Sequence, residues 1–170
     1  MKPKKMRESF AAKTSIILPP DTNNHGTIFG GKTMSYIDEV AGLSAVRHAR
    51  MMVVTASTDS VDFLSPIRTS QAICLESFVT WTSRTSMEVF VKVEGEDLLS
   101  GERTMCATAF LTFVALDKNG NPHPVPPVIP ESELEKRLHE TAPERAKLRQ
   151  ERRDRSRAFA KEFRSNNSSL

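Results

Sequence analysis

At 170 residues the chain has room for one domain of ordinary size and something more. With 38% hydrophobic and 26% charged residues it is too apolar to be wholly disordered, and its uncharged apolar stretches are too short for a membrane helix. The net charge of +3 comes from one segment: residues 131–170 carry 11 Lys+Arg against 8 Asp+Glu, while residues 1–130 carry 13 of each. The body therefore has no basic field to draw it onto nucleic acid.

The basic N-terminus runs into Glu8 and Thr14 rather than an apolar leader. Two cysteines, Cys74 and Cys106, make neither a disulfide framework nor a metal cluster. A cytoplasmic protein without bound metal or cofactor is expected.

Residues 8–18 read as a first strand that stops at Pro19-Pro20, and the loop DTNNHGTIFGG follows over 21–31. From Lys32 to about Ala49 the period turns helical, with Met34, Ile37, Ala41, Ala45 and His48 at three- and four-residue spacing. Small residues at Ala41, Gly42, Ser44 and Ala45 give it a slim middle, as in a buried helix. The period then changes again. Residues 52–63, 70–83, 86–95 and 102–116 are rich in Val, Thr, Phe and Ile, and read as strands. One long helix followed by antiparallel-type strands predicts an α+β domain over 8–130.

Residues 131–170 form a charged, helical extension in this reading. Leu134, Leu138, Leu148, Phe159 and Phe163 make a thin apolar stripe, suited to a solvated helix against a neighbouring subunit and dispensable for chemistry. Arg149, Arg152, Arg153, Arg155 and Arg157 cluster, but Glu151 and Asp154 break the run and no aromatic interleaves it. That pattern argues against a nucleic-acid tail.

The candidate chemistry lies between residues 21 and 39. Gly30-Gly31 directly before a helix leaves unpaired N–H groups where the helix dipole is positive, a place that suits a phosphate or an oxyanion. A tight turn explains two glycines equally well. Asp38 follows Met34 by four and precedes Ala41 by three, at the edge of the apolar stripe. Aspartate is a poor mid-helix residue and cannot be an N-cap here, so it is either a general base or half of an exposed Asp38-Glu39 pair at a dimer surface. Asn23, Asn24 and His25 in the loop are placed to hold a water or a carbonyl. Nucleophile-elbow and metal-ligand spacings are both missing. A carboxylate base with backbone electrophilic help suits hydrolysis of an activated acyl compound.

The pattern P-x-DTNNHGTIFGG-x-x-M-x-x-I-D-E-x-A-G resembles the hotdog-fold acyl-CoA thioesterases of the bacterial YciA and mammalian brain acyl-CoA hydrolase type. The similarity runs on through VDFLSPI, SRTSMEVFVKVE and CATAFLTFVALDKNG, covering roughly residues 10–130. The resemblance implies a central helix wrapped by an antiparallel sheet, dimers with active sites at their interface, and trimers of such dimers. It implies Asp38 as general base or nucleophile, Asn23 from the partner subunit as the group that positions water or substrate, and the Gly31 amide as the carbonyl's polariser. His25 falls in the same loop motif. Ser83, Arg84, Thr85 and Ser86 match the turn that meets the coenzyme A nucleotide. Acyl-CoA is the implied substrate, with no membrane or nucleic-acid partner. A hotdog dehydratase, with His25 and Asp38 as its acid–base pair, and a non-enzymatic acyl-CoA-sensing regulator are the alternative readings.

Overall fold

The computed structural model describes residues 1–166. In chain order it has β1 (Lys4–Lys5), a 3-10 turn (Met6–Ser9), β2 (Ala11–Ile16), a second 3-10 turn (Pro19–Asp21) and α1 (Gly30–Ala49). Then come β3 (Met52–Phe63), β4 (Gln71–Thr82), β5 (Ser86–Asp97), β6 (Arg103–Leu116), β7 (Val128–Ile129) and α2 (Glu133–Asn166). Five strands form one antiparallel sheet in the order β2-β4-β5-β6-β3, and β1 pairs parallel with β7 beside it.

The predicted strand over 8–18 is shorter than expected, because a turn replaces its start. Met6 is fully buried, the Ser9 hydroxyl donates to the Met6 carbonyl at 2.6 Å, and the Val79 amide donates to Ser9 Oγ at 2.9 Å. A turn whose buried serine hydroxyl both donates and accepts competes well with an edge strand.

Helix α1 begins two residues earlier than its apolar pattern suggests. Its first hydrogen bonds run from the Lys32 and Thr33 amides to the Phe29 carbonyl, and Phe29 gives no side-chain cap. It ends at Arg50, a left-handed residue (φ 55°) whose amide donates to Val46. Thr33, Ile37, Val40, Ala41, Ser44, Ala45 and His48 are buried against the sheet. The slim middle allows a close approach: Ser77 Oγ donates to the Val40 carbonyl at 2.9 Å and lies 2.7 Å from Ser44 Oγ. The other half of α1 carries Met34, Asp38, Leu43 and Val46, all exposed in the single chain.

The sheet has a helix on each face. Phe113 of β6 points to α1, where its ring lies beside Gly42. Its neighbour Thr112 points the other way, and donates to Asp59 of β3, which α2 grips. Phe78, Phe90 and Phe110 stack across three strands on that outer face, with the Arg145 guanidinium 4.3 Å from the Phe110 ring.

Helix α2 is thus no mere solvated appendage. Its start is capped reciprocally by Ser132 and Glu135. Ala142 is fully buried, and the His139 ring bonds the Thr80 carbonyl at 2.9 Å. Leu134, Leu148, Phe159 and Phe163 remain more than half exposed and Leu138 is half-buried, so most of the apolar stripe expected to meet a neighbouring subunit is not used to dock α2 on its own sheet. Arginines dock instead. No helix among the described residues is long and apolar enough to cross a membrane.

Candidate active site

The loop before α1 is fastened at both ends. The Phe29 amide donates to the Asp21 carbonyl at 2.8 Å, and the Ile28 amide to Ile67 at 2.8 Å. Lys32 pairs with Asp21 at 3.2 Å, and that hydrogen bond, helped by Tyr36, raises the lysine pKa above its ordinary value. At the helix start the amides of Gly30 and Gly31 precede the first helical bonds, as an oxyanion donor must. A Cβ at Gly31 would lie 2.5 Å from the exposed Phe29 ring, so any larger residue there would displace that ring.

Asn23 is used by its own loop. Its Oδ1 accepts from the His25 amide at 2.9 Å and its Nδ2 donates to Thr27 Oγ1 at 2.9 Å. The His25 side chain is exposed and makes no hydrogen bond or ion pair among the described residues. Neither residue is bonded to Asp38 within the chain. Asp38 instead accepts a hydrogen bond of 2.9 Å from Thr55 Oγ1 on β3. Thr55 carries no mark in the sequence that separates it from the other strand threonines; only the register of β3 brings it to α1.

Strand β3 lies at an open edge of the sheet and is irregular. Its pairing with β6 shifts between Thr55 and Ser57, and again between Thr58 and Ser60. Thr55 opposes Phe113, and Ser57 opposes Thr112. The extra residue at Ala56 therefore puts Thr55 on the α1 face and Ser57 on the α2 face, where regular alternation would put both on one side.

A cavity of about 330 Å³ opens beside the start of α1, lined by Gly30, Thr33, Phe63, Ile67 and Cys106 among others. The Thr33 hydroxyl is buried there without a partner among the described residues. Burial pushes the Cys106 thiol pKa up, and the same holds for Cys74, so both stay protonated and neither is an activated nucleophile.

The turn between β4 and β5 is held by the Ser83 amide on the Ser86 carbonyl and by their two hydroxyls at 2.8 Å. Arg84 is exposed at its tip. The Arg84 carbonyl accepts from Val125, and the following Pro126 carbonyl bonds His48 near the end of α1. Gly31 and Arg84 thus sit at opposite ends of a helix about 30 Å long. One chain does not bring the expected coenzyme turn and the expected oxyanion donor together.

Residues 25–101 match the family model described as the thioesterase superfamily. An uncharacterized acyl-CoA thioester hydrolase of Bacillus subtilis, YkhA, is 59% identical over 154 residues, covering 91% of this chain and 90% of the relative. The chain belongs to the thioesterase superfamily. It is a hydrolytic enzyme with the hotdog fold that its loop and helix led us to expect. A solved apo-hexameric acyl-CoA thioesterase is 53% identical with a TM-score of 0.87, over 89% of this chain and 97% of that one. The acyl-CoA hydrolase of Staphylococcus aureus, solved with butyryl coenzyme A and coenzyme A, is 43% identical with a TM-score of 0.90, over 94% and 98%. That enzyme has also been solved with alanine in place of an asparagine, of an aspartate 15 residues later, and of a threonine 17 residues after that.

Proposed function

We propose that this thioesterase works at sites shared between two subunits, with Asp38 as general base, Asn23 of the partner subunit as the group that positions water, and the Gly31 amide as oxyanion donor. Its substrate is acyl-CoA, and the products are a free acid and coenzyme A. Water attacks the thioester carbonyl as Asp38 takes its proton, and the tetrahedral oxyanion is held at the start of α1. The C–S bond then breaks, and the proton on Asp38 passes to the departing thiolate. The steps assigned to these residues use no metal or cofactor.

The Thr55–Asp38 hydrogen bond on the open half of α1 carries this reading. Asn23, Asp38 and Thr55 have the same identities and spacing as the three positions replaced in the S. aureus enzyme. Thr55 fixes the carboxylate that needs fixing. The exposed half of α1 and the open edge of β3 favour a partner subunit, as the apolar Met34, Leu43, Val46, Met52 and Val54 are otherwise left in water. Such a partner would bring a second Asn23 loop and a second Arg84 turn to each Asp38. Dimers of this kind assembled as a hexamer are the quaternary structure we propose. The phosphates of the coenzyme would meet Arg84 with Ser83, Thr85 and Ser86. We place the enzyme in the cytoplasm, where acyl-CoA is used; Cys74 and Cys106 are free thiols, as a reducing compartment keeps them.

Mixed dimers test the shared site. Asp38→Ala and Asn23→Ala homodimers are each expected to be nearly inactive. Co-refolded in equal amounts, half of the dimers are mixed, and each mixed dimer has one intact site of two. Recovery of about a quarter of the wild-type activity follows from the two-fold symmetry. Mixed dimers that form, as shown by differential tags, but stay inactive would place both residues in a site within one subunit.

A further inference from the structure

We infer that Arg152 of α2 is a positioning residue for catalysis: it clamps the bulged segment of β3 and thereby holds Thr55 against Asp38. This rests on the reading of Asp38 as the general base.

An extra residue in a strand leaves backbone groups outside the ladder, and something must satisfy them. At the second irregularity of β3 that residue is Asp59, between Thr58 and Ser60. Arg152 Nη1 donates to the Asp59 carbonyl at 2.6 Å, and Nη2 donates to Ser57 Oγ at 2.8 Å and to Asp59 Oδ1 at 2.7 Å. One guanidinium thus spans the Asp59 backbone and the side chains of Ser57 and Asp59, on either side of Thr58. Ser57 also donates to Asp59 Oδ1. Arg149 Nη1 at 3.0 Å and Thr112 Oγ1 at 2.6 Å hold the other carboxylate oxygen, so Asp59 has little freedom of its own.

The clamp lies on the α2 face; the catalytic pair lies on the α1 face. Between Ser57 and Thr55 there is only Ala56, the bulged residue that turns one of them to each side. β3 is paired on one edge alone in the chain, which leaves this stretch with fewer restraints than the central strands. Fixing Ser57 and Asp59 from outside fixes the twist of the bulge, and with it the direction in which Thr55 leaves the strand. An apolar residue at Arg152 would leave the Asp59 carbonyl to water and let the bulge relax.

Kinetics of Arg152→Ala and Arg152→Gln, alone and combined with Thr55→Val, test this. Arg152 is nearly half exposed on its side chain, so both variants are expected to fold, and the glutamine keeps most of the packing. Each single variant should lower kcat roughly tenfold, as small displacements of a catalytic group do, with KM within about twofold. Arg152→Lys, which retains one donor for the Asp59 carbonyl, should recover part of the loss. In the Thr55→Val background the Arg152 substitutions should have no further effect on kcat, because the group they act through is gone. Unchanged kcat in the folded single variants, or effects that multiply in the double variants, would overturn the positioning role while leaving Asp38 as the base. Full activity in Asp38→Ala would instead remove the reading on which the inference rests, whatever Arg152 does.

Discussion

Thr55 Oγ1 donates to Asp38 Oδ1 at 2.9 Å, tying the middle of α1 to the edge strand β3 at the residue before its first bulge. The bond leaves the second carboxylate oxygen free for a water and stops the side chain from swinging along the exposed face of the helix. A hydrogen bond to a charged group contributes about 1.5–3 kcal/mol. If that is used to orient the base, Thr55→Val should lower kcat roughly 10- to 100-fold. Thr55→Ser, which keeps the hydroxyl, should stay within about threefold of wild type. Equal losses for valine and serine in steady-state assays would show that the methyl group matters and the hydrogen bond does not.

The Arg84 turn separates binding from chemistry. Its guanidinium is exposed at the tip, and the turn is held by backbone and hydroxyl bonds that do not involve the arginine side chain. Arg84→Ala should therefore leave folding intact and raise KM for acyl-CoA about fivefold or more, with kcat within about twofold, as loss of uniform binding does. The same variant should discriminate less between coenzyme A and its dephospho form. An unchanged KM would remove the turn from the coenzyme site.

Much of this fold is legible from periodicity alone. The change from a 3.6-residue to a two-residue period marks the end of α1 and the start of β3, and the four long strands fall within two residues of their predicted bounds. The start of α1 is less legible, because Phe29 caps with its carbonyl and shows no polar side chain. Thr55 is hidden for a different reason. Alternation read along β3 puts Thr55, Ser57 and Asp59 on one face, and nothing in the sequence marks Ala56 as the extra residue that separates them. Docking of α2 is hidden because it runs through charge. Glu88 and Asp59 sit on strand faces that read as solvated, and their arginine partners are 57 to 93 residues away. The loop carrying Asn23 and its polar groups are legible from the residues, but the role of Asn23 across a subunit boundary comes only from family resemblance, since its own hydrogen bonds are those of any tight turn.

His48 predicts a pH dependence of stability. It is fully buried near the end of α1, with Nε2 2.8 Å from the Pro126 carbonyl and no partner for Nδ1 among the described residues. A ring that donates from Nε2 and has a bare Nδ1 is neutral. Burial lowers its pKa; nearby Lys4 acts in the same direction, while Glu8 and the Pro126 bond oppose it. The unfolded chain therefore binds a proton that the folded one refuses. This contribution to stability is complete above the unfolded pKa of about 6.5 and is lost as pH falls from there toward the lower folded value. Tm should fall between about pH 7 and pH 5, and His48→Gln should flatten that part of the curve while retaining a donor for Pro126. Parallel curves for the two proteins would assign the acid loss to other groups.

Truncation of α2 tests what its arginines do for the sheet. The Glu88 side chain is fully buried on β5, where Arg145 Nη2 approaches Oε1 at 2.7 Å, Arg149 lies 3.6 Å from Oε2, and Thr80 donates at 2.8 Å. Asp59, about one-tenth exposed, is held by Arg149 and Arg152. Ending the chain after Pro130 removes all three arginines and leaves Glu88 with the hydroxyl of Thr80. Breaking a buried pair from one side costs up to about 3–5 kcal/mol where the remaining charge stays buried, and water reaching Glu88 once α2 is gone brings the loss toward the lower end. For a chain of this size that corresponds to a fall in Tm of roughly 6–20 °C. Ending it after Asp154 keeps the three arginines and should leave Tm within about 3 °C. The cause can be separated from general loss of packing by Glu88→Gln. In the full-length protein that substitution strands Arg145 and should destabilise; in the chain ending at Pro130, where water reaches the position, it should be close to neutral. A substitution that destabilises both forms would mean that α2 protects the sheet by covering apolar surface, and that the ion pairs are incidental.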